Sequence, residues 1–407
     1  MRVRCCIAGG GPAGMMLGYL LARAGVEIVV LEKHADFLRD FRGDTVHPST
    51  LEVMHELGLL EDFLKRPHQE LSQISGLVGE MPVTIAEFAH VSTTCKFIAL
   101  MPQWEFLNFL NEHGRRYPGF RALMRAEATG LIDEAGTIRG VLATTPDGPL
   151  EIRADLVVGA DGRHSIVRER AGLVVQDIGA PIDVLWMRLP KHAGDPTAVF
   201  GRINAGKVFV TLDRGDYWQC AYVIPKGDLD ALRQRGLPAL RDDVVAIAPF
   251  IHDRIGELRG WDDIKLLTVT IDRLKRWYRP GLVCIGDAAH AMSPIGGVGI
   301  NLAIQDAVAA ANILAQPLRS GRVTERDLAA IQRRREFPIR VTQGFQVFIQ
   351  ERIFRPVLAT SGTFKAPWPV RLLARFPYLR RFPARFIGVG VRPEHVHTPE
   401  MPAARGA

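Results

Sequence analysis

A glycine turn at the start of the chain most constrains its fold. Gly9, Gly11 and Gly14 follow one apolar run, residues 3–8, and lead into a second, residues 15–24. The short run reads as a buried strand and the longer one as an apolar helix. Residues 26–31 repeat the strand pattern, and Glu32 closes it eighteen positions after Gly14. Strand, glycine turn, helix, strand and acid in this order form the dinucleotide-binding arrangement. The first glycine makes the turn, the second lets backbone approach a pyrophosphate, and the third lets helix pack on strand. The pyrophosphate then sits at the helix N-terminus, where Pro12 and Ala13 open the first turn. Glu32 is placed to accept hydrogen bonds from the adenosine ribose, with Lys33 beside it. A carboxylate there disfavours the extra phosphate of NADP, so the ligand is FAD or NAD.

At 407 residues the chain exceeds one ordinary domain. Its 47% apolar share, 39 glycines and 26 prolines fit a globular α/β protein rich in turns. No apolar run is read as long enough to span a bilayer, and the amino terminus reads as a folded strand, not a signal peptide. Cys5, Cys6 and Cys284 fall inside expected strands, which suits free buried thiols in a reducing cytoplasm. No Cys/His spacing suits zinc, so no metal site is expected.

Helical patterns occupy residues 45–60 and 101–117, and strands at 140–145 and 150–159 bracket the turn Pro146-Asp147-Gly148. Residues 184–223 are all strand-like; helices follow at 229–235 and 242–248, then a strand at 268–273. The nucleotide-domain texture returns with a strand at 282–285 and a helix at 299–314. The expected class is α/β: a Rossmann-like domain of residues 1–75, 100–175 and 268–330. A β-rich substrate domain of residues 76–99 and 176–267 is inserted in it. A helical region of residues 331–407 follows, with 399–407 frayed.

Two further segments carry chemistry. In Gly159-Ala160-Asp161-Gly162-Arg163-His164-Ser165-Ile166-Val167-Arg168 a strand runs into a tight turn and a basic stretch. In Gly286-Asp287-Ala288-Ala289-His290-Ala291-Met292-Ser293-Pro294-Ile295-Gly296-Gly297-Val298-Gly299-Ile300-Asn301 a strand end offers a carboxylate suited to a polyol hydroxyl. A glycine-rich loop then opens into a helix whose free N–H groups attract negative charge. A flavin fits this shape: ribityl chain at Asp287, the edge that becomes anionic on reduction at Gly299 to Asn301.

Together with the amino-terminal glycines, these motifs resemble the class A flavoprotein aromatic monooxygenases of the para-hydroxybenzoate hydroxylase and ubiquinone-hydroxylase type. The resemblance covers residues 1–330. It implies FAD as resident cofactor, NADH or NADPH as transient electron donor, and O2 as co-substrate. It further implies hydroxylation of an aromatic or polycyclic, quinone-like substrate through a flavin C4a-hydroperoxide. Asp161-Gly162 in that family serves both FAD and NAD(P)H, and Arg42 and Gln103 match positions touching FAD. Pro294 and Gly296-Gly297 would wall the oxygen-transfer position, where water must be excluded. A phenol would benefit from a base; His47 and His290 are candidates, each with a structural role as the alternative. Substrate contacts should come from the inserted sheet, with Thr211, Trp218 and Tyr222 among the candidates, although half of any strand faces away. The arginine and tyrosines that hold a benzoate in para-hydroxybenzoate hydroxylase are not seen. The flavin halogenases share the fold, but their WxWxIP motif meets Cys220 and Tyr222 here. A FAD-dependent reductase or epoxidase of isoprenoid or lipid-like substrates, and a flavin-binding protein without turnover, are the other readings.

The net charge of +7 is uneven. Residues 333–385 hold twelve Lys/Arg against Glu336 and Glu351, an excess of ten that leaves the rest at 7 − 10 = −3. This stretch reads as a terminal helical layer with arginines on its wet face. Its interleaved aromatics also allow peripheral contact with a membrane's cytoplasmic face. Nucleic acid is not expected as a partner, and the chain is expected to act as a monomer or homodimer.

Overall fold

A computed structural model describes residues 1–38, 45–196, 200–362 and 364–401. The strand Arg2–Ala8 lies between two parallel neighbours, Ile28–Glu32 and Gly148–Gly159. Phe120–Met124 extends the parallel order on one side and Leu282–Cys284 on the other. Helices cover the central strands, which explains their nearly unbroken apolar sequence. Register places Ala8 opposite Gly159, and Gly159 opposite Cys284. Three strands remote in sequence therefore end at one level, and the three glycine-bearing turns leave the sheet side by side. Ligands bind at such a carboxyl edge.

The helices Pro12–Arg23 and Gly299–Ser320 pack together against this sheet. The second runs six residues beyond its expected end at 314. Together with the turn before it, Ile295–Ser320 is long and apolar enough to cross a membrane, contrary to the sequence expectation. It is instead mostly buried, lying between Pro12–Arg23 and Glu325–Ile349.

A second sheet has seven strands, in the order Ile264–Leu267, Ile182–Pro190, Tyr217–Pro225, Lys207–Asp213, Phe200–Asn204, Gln73–Val78 and Met81–Glu87. All its pairs are antiparallel except Phe200–Asn204 with Gln73–Val78. Both segments expected in the inserted domain thus contribute strands to it. The expected boundaries at 75, 175 and 330 fall inside Gln73–Val78, Val175–Asp177 and the helix Glu325–Ile349. Other bounds also differ. The helix expected over 45–60 begins as Pro48–Glu56, after the strand Thr45–Val46; that expected over 242–248 begins at Leu237. Pro48 and Pro238 lie in the first turns, where a missing N–H costs nothing. The strand expected over 268–273 is confined to Asp272–Leu274. All five cysteines are free and buried.

The expected fraying from 399 stops short of the described chain. The Tyr117 hydroxyl donates to Glu400 at 2.9 Å, the Arg23 guanidinium pairs with Glu400 at 3.2 Å, and the Met401 N–H donates to the Arg23 carbonyl at 2.9 Å. Further back, Arg334 donates to the buried Glu394 at 2.7 Å, and buried Arg335 reaches the same oxygen at 3.3 Å. Removing residues 394–407 leaves Arg335 a buried cation short of one partner. Loss of about 3 kcal/mol or more in urea unfolding is expected; an unchanged midpoint would contradict the docked tail.

Candidate active site

The three turns interlock through their glycines. Gly9 has φ +111, and a Cβ there would overlap the Ala160 carbonyl of the second motif. A Cβ on Gly14 would overlap the Gly9 carbonyl, so only glycine lets the helix start so near the strand end. Gly286 of the third motif, at φ +59, would place a Cβ 3.1 Å from that of Ala13 and 3.3 Å from that of Ala303. By contrast, a Cβ on Gly11 or Gly162 would meet nothing among the described residues within 4 Å. Gly11 is the N-cap of Pro12–Arg23, and no side chain caps that helix. The result is an open cradle at an uncapped, positive helix end, walled by close-packed backbone. It fits the pyrophosphate of FAD. Glu32, half-buried, reaches it from the second strand, with one oxygen accepting the His34 N–H at 2.9 Å. Lys33 is exposed next to it. Gln103 opens the helix Gln103–Gly114, and no protein partner holds its amide among the described residues. Arg42 lies outside the described residues.

Asp287 stands at the same edge, one-third exposed, with the Arg163 guanidinium at 3.6 Å. It is open enough to meet a polyol. Asp161 is otherwise spent. Its carboxylate accepts from the Ser165 hydroxyl and, at 3.1 Å, from the Val167 N–H, holding the first turn of Ile166–Arg170. Burial pushes its carboxyl upward, against these hydrogen bonds. Asp161 therefore shapes the turn, and Gly162 provides its open surface.

The segment 291–297 is neither helix nor strand for most of its length, so its backbone polar groups need side-chain partners. Helix Glu325–Ile349 and the π-turn after it supply them. Gln343 donates to the carbonyls of Asp272 at 2.7 Å and Ala291 at 3.0 Å. Gln346 donates to those of Ser293 at 2.9 Å and Ile295 at 3.0 Å, and accepts the Ser293 N–H at 3.1 Å. Gln350 donates to the Ser293 hydroxyl. Pro294, Gly296 and Gly297 are thus braced from behind. A Cβ on Gly296, at φ +79, would meet only Val298 at 3.6 Å, while one on Gly297 would collide with Thr45. Gly299 and Ile300 begin the next helix without a side-chain cap.

Asn301 uses its whole amide internally. Its oxygen accepts from the His47 N–H at 2.9 Å and the Thr50 hydroxyl at 2.8 Å, and its nitrogen donates to the carbonyls of Thr45 at 3.0 Å and Gly297 at 3.2 Å. Only its backbone is left to meet a cofactor. His47 is fully buried, and its Nδ1–H donates to the Ile387 carbonyl at 2.8 Å. Burial pushes its pKa down to about 4, against that hydrogen bond. His47 thus clamps the carboxyl-terminal helix through Nδ1, and the same burial that lowers its pKa disfavours the expected role as base at neutral pH. His290 is likewise structural, its Nε2–H donating to Asp306 at 2.6 Å.

Sequence reasoning missed Asp306. Its fully buried carboxylate accepts the Gly286 N–H at 3.0 Å, His290, and Arg335 Nε at 2.8 Å. Burial raises its carboxyl, but His290 and Arg335 outweigh burial and hold it below the usual range. The only signal was an acid at an otherwise apolar helix position.

Alternation in the second sheet divides the expected substrate residues from the face toward the braced loop. Trp218 and Tyr222 join a buried cluster with Leu232, Leu240 and Val244, under the helices Leu229–Arg235 and Leu237–Ile247. Thr211 pairs with Cys220 of that cluster and shares its face. All three are turned away from the braced loop, because each sits at the wrong parity of its strand. The opposite face carries Trp186, Val210, Ala221 and Val223, packed in one cluster with Ile295.

An uncapped glycine cradle, a half-buried acid at the end of the second strand, and a partly exposed carboxylate beside a braced loop fit a FAD-binding α/β enzyme. The chain belongs to the family described as the FAD binding domain, which matches residues 2–344. It is 33% identical over 377 residues to 6-methylpretetramide 4-monooxygenase of Streptomyces rimosus, covering 92% of this chain and 90% of that protein. It is 29% identical to rifampicin monooxygenase of Streptomyces venezuelae over 74% of this chain, but over only 61% of that longer protein. The fold is shared with the anhydrotetracycline hydroxylase OxyS of Streptomyces rimosus, at TM-score 0.74 and 22% identity over 95% of this chain and 76% of that one. The protein is a FAD-dependent flavoprotein monooxygenase.

Two measurements probe the site. Between pH 6.5 and about 4 an unfolded chain protonates its His47 while the native one does not, so stability falls with pH across that window and levels below it. His47→Gln, which can still donate to Ile387, is expected to flatten this slope by up to about 3 kcal/mol in urea unfolding; equal slopes would contradict the assignment. Asp306→Asn removes the anion that His290 and Arg335 share, leaving Arg335 only Glu394, and is expected to cost about 3–5 kcal/mol. A near-neutral variant would contradict the cluster.

Proposed function

We propose that this monooxygenase hydroxylates a flat, polycyclic aromatic substrate in the cytoplasm, as a monomer or homodimer, using NADH or NADPH and O2. The observation that carries the reading is the half-buried pair Trp186 and Val210, on the apolar sheet face that packs in one cluster with Ile295 of the braced loop. A fused ring system can lie against such a surface by dispersion and burial. The 6-methylpretetramide and rifampicin named for its relatives are substrates that would suit it. Bound FAD would supply the redox chemistry: two electrons from the nicotinamide and activation of O2, one oxygen atom going to the ring and the other to water.

The chain's own residues bind, orient and exclude. Gly9, Gly11, Gly14 and the free N–H groups in the first turn of Pro12–Arg23 would hold the pyrophosphate, Glu32 the ribose, and Asp287 the ribityl hydroxyls. Gly299 and Ile300 present an uncapped helix start that favours negative charge on the flavin edge. Gly296 would leave the oxygen-transfer side without a side chain, and Pro294 would present only its ring there. The apolar face keeps water from it. Gly162, beside Asp161, gives the nicotinamide an open approach.

Asp287→Ala is expected to lose most bound flavin, read as visible absorbance per chain; full retention would refute its role. Oxidation of NADH or NADPH with matching O2 uptake should rise on adding a polycyclic phenol and respond little to small benzoates. Reduction without O2 dependence would point to a reductase instead. Trp186→Ala should raise the KM for the responding phenol about tenfold with flavin content unchanged. An unaltered KM would remove this sheet face from the site.

A further inference from the structure

An excess of positive charge lies in a carboxyl-terminal stretch that is little buried. Residues 352–393 contain nine Lys/Arg and no Asp or Glu. Within them the helices Trp368–Arg375 and Arg381–Gly388 are joined by the turn Pro377–Arg380. No residue from 364 to 383 is buried. Trp368 is 69% exposed, Tyr378 59% and Phe382 58%, with Leu372 and Phe376 also exposed. Arginines lie over the rings: Arg375 at 5.5 Å from the Phe376 centre, Arg381 at 6.0 Å from Tyr378 and 5.3 Å from Phe382. Phe376 and Tyr378 meet edge to face at 6.2 Å. The strip continues through Phe386, 4.6 Å from Phe345, toward the exposed Phe348 of the neighbouring helix.

The protein's own core accounts for neither the open rings nor the unpaired sign of charge. Exposed apolar patches of this kind mark a binding surface. A second copy of the chain would bring two strongly cationic patches face to face. Bases would need free ring faces to stack on, whereas Phe376, Tyr378 and Phe382 already carry guanidinium groups. Arginine rows above rings, with tryptophan and tyrosine at the margin, match the headgroup layer of an anionic bilayer.

We propose that the surface formed by residues 365–386 docks on membranes rich in anionic phospholipid. Its position gives the contact a use. The inner side of Arg381–Gly388 buries Ala384 in a cluster against which Val210 and Leu212 of the second sheet also pack. One side of the helix therefore meets the substrate-facing sheet and the other would meet lipid, where an apolar polycycle partitions. This use rests on the substrate reading of that sheet face; the docking does not.

The test is co-sedimentation of the full-length holoenzyme with vesicles of phosphatidylglycerol and phosphatidylcholine, against vesicles of phosphatidylcholine alone. Binding is expected to the anionic vesicles, to weaken with salt, and to shift the emission of Trp368 to the blue. Arg375→Gln/Arg381→Gln should lower partitioning about tenfold or more. Trp368→Ala/Phe382→Ala should do likewise, with flavin content and phenol-stimulated NAD(P)H oxidation in solution intact. Absence of anionic-vesicle binding, equal binding by the variants, or capture of duplex DNA in place of vesicles would overturn the proposal. So would a dimer that the ring variants dissociate. If no phenol stimulates oxidation while vesicle binding persists, the substrate reading fails and the docking stands.

Discussion

The buried carboxylate of Asp306 is the anion around which the site is organised. It sits within an apolar helix, fully excluded from water, and accepts from a backbone N–H, an imidazole and a guanidinium. Burying a charge this way gains little net stability over an apolar replacement, but breaking the set is costly. Its value is geometric. One oxygen fixes Gly286, and so the direction in which Asp287 leaves the strand. The other fixes Arg335, which reaches Glu394 and ties down the carboxyl-terminal tail. Strand end, core helix and tail are held in one arrangement by a group that touches no ligand.

The braced loop follows the same logic with neutral groups. An irregular backbone beside a reactive position must keep one edge open and still satisfy its carbonyls on the other. Gln343, Gln346 and Gln350 do this from positions i, i+3 and i+7 of one helical face, and Asn301 does it from the front with all four of its hydrogen bonds. Leucine at the glutamine positions would pack as well but leave the carbonyls of Ser293 and Ile295 unpaired, each at about 1–3 kcal/mol. The π-turn at Gln350–Phe354 brings the last glutamine onto Ser293, an irregularity placed where a site requires it.

The fold was legible wherever contacts are local. The first strand, glycine turn and helix announce themselves because a close backbone approach leaves glycine no substitute, as at Gly14. Less could be read of the second sheet. Helices cover one of its faces, and Ile295 of the braced loop with Ile353, Phe354, Val357 and Leu358 packs on the other, so both faces are apolar, and alternation separates them without saying which is which. Trp218 and Tyr222 were attractive because they are aromatic, and they are aromatic because they fill the core beneath two helices. The glutamines were invisible for a different reason: polar residues on a helix ordinarily read as its wet side, and only the tertiary partner shows otherwise. The tail, proline-rich and without periodicity, carries no local signal for bonds made to Arg23, Tyr117 and Arg335.

The two halves of the site are consequently held by different means. The cofactor half depends on backbone approach and on polar pairs buried behind it, so most substitutions there disturb the fold itself. In the proposed substrate half the surface is made by side chains at one parity of an antiparallel sheet, and exchanging Trp186 or Val210 would alter it without touching the glycine cradle. Energetic effects at positions so separated add nearly independently. A scaffold divided in this way can keep one redox chemistry fixed while the shape accepted above it changes. That division is consistent with relatives named for molecules as different as 6-methylpretetramide and rifampicin.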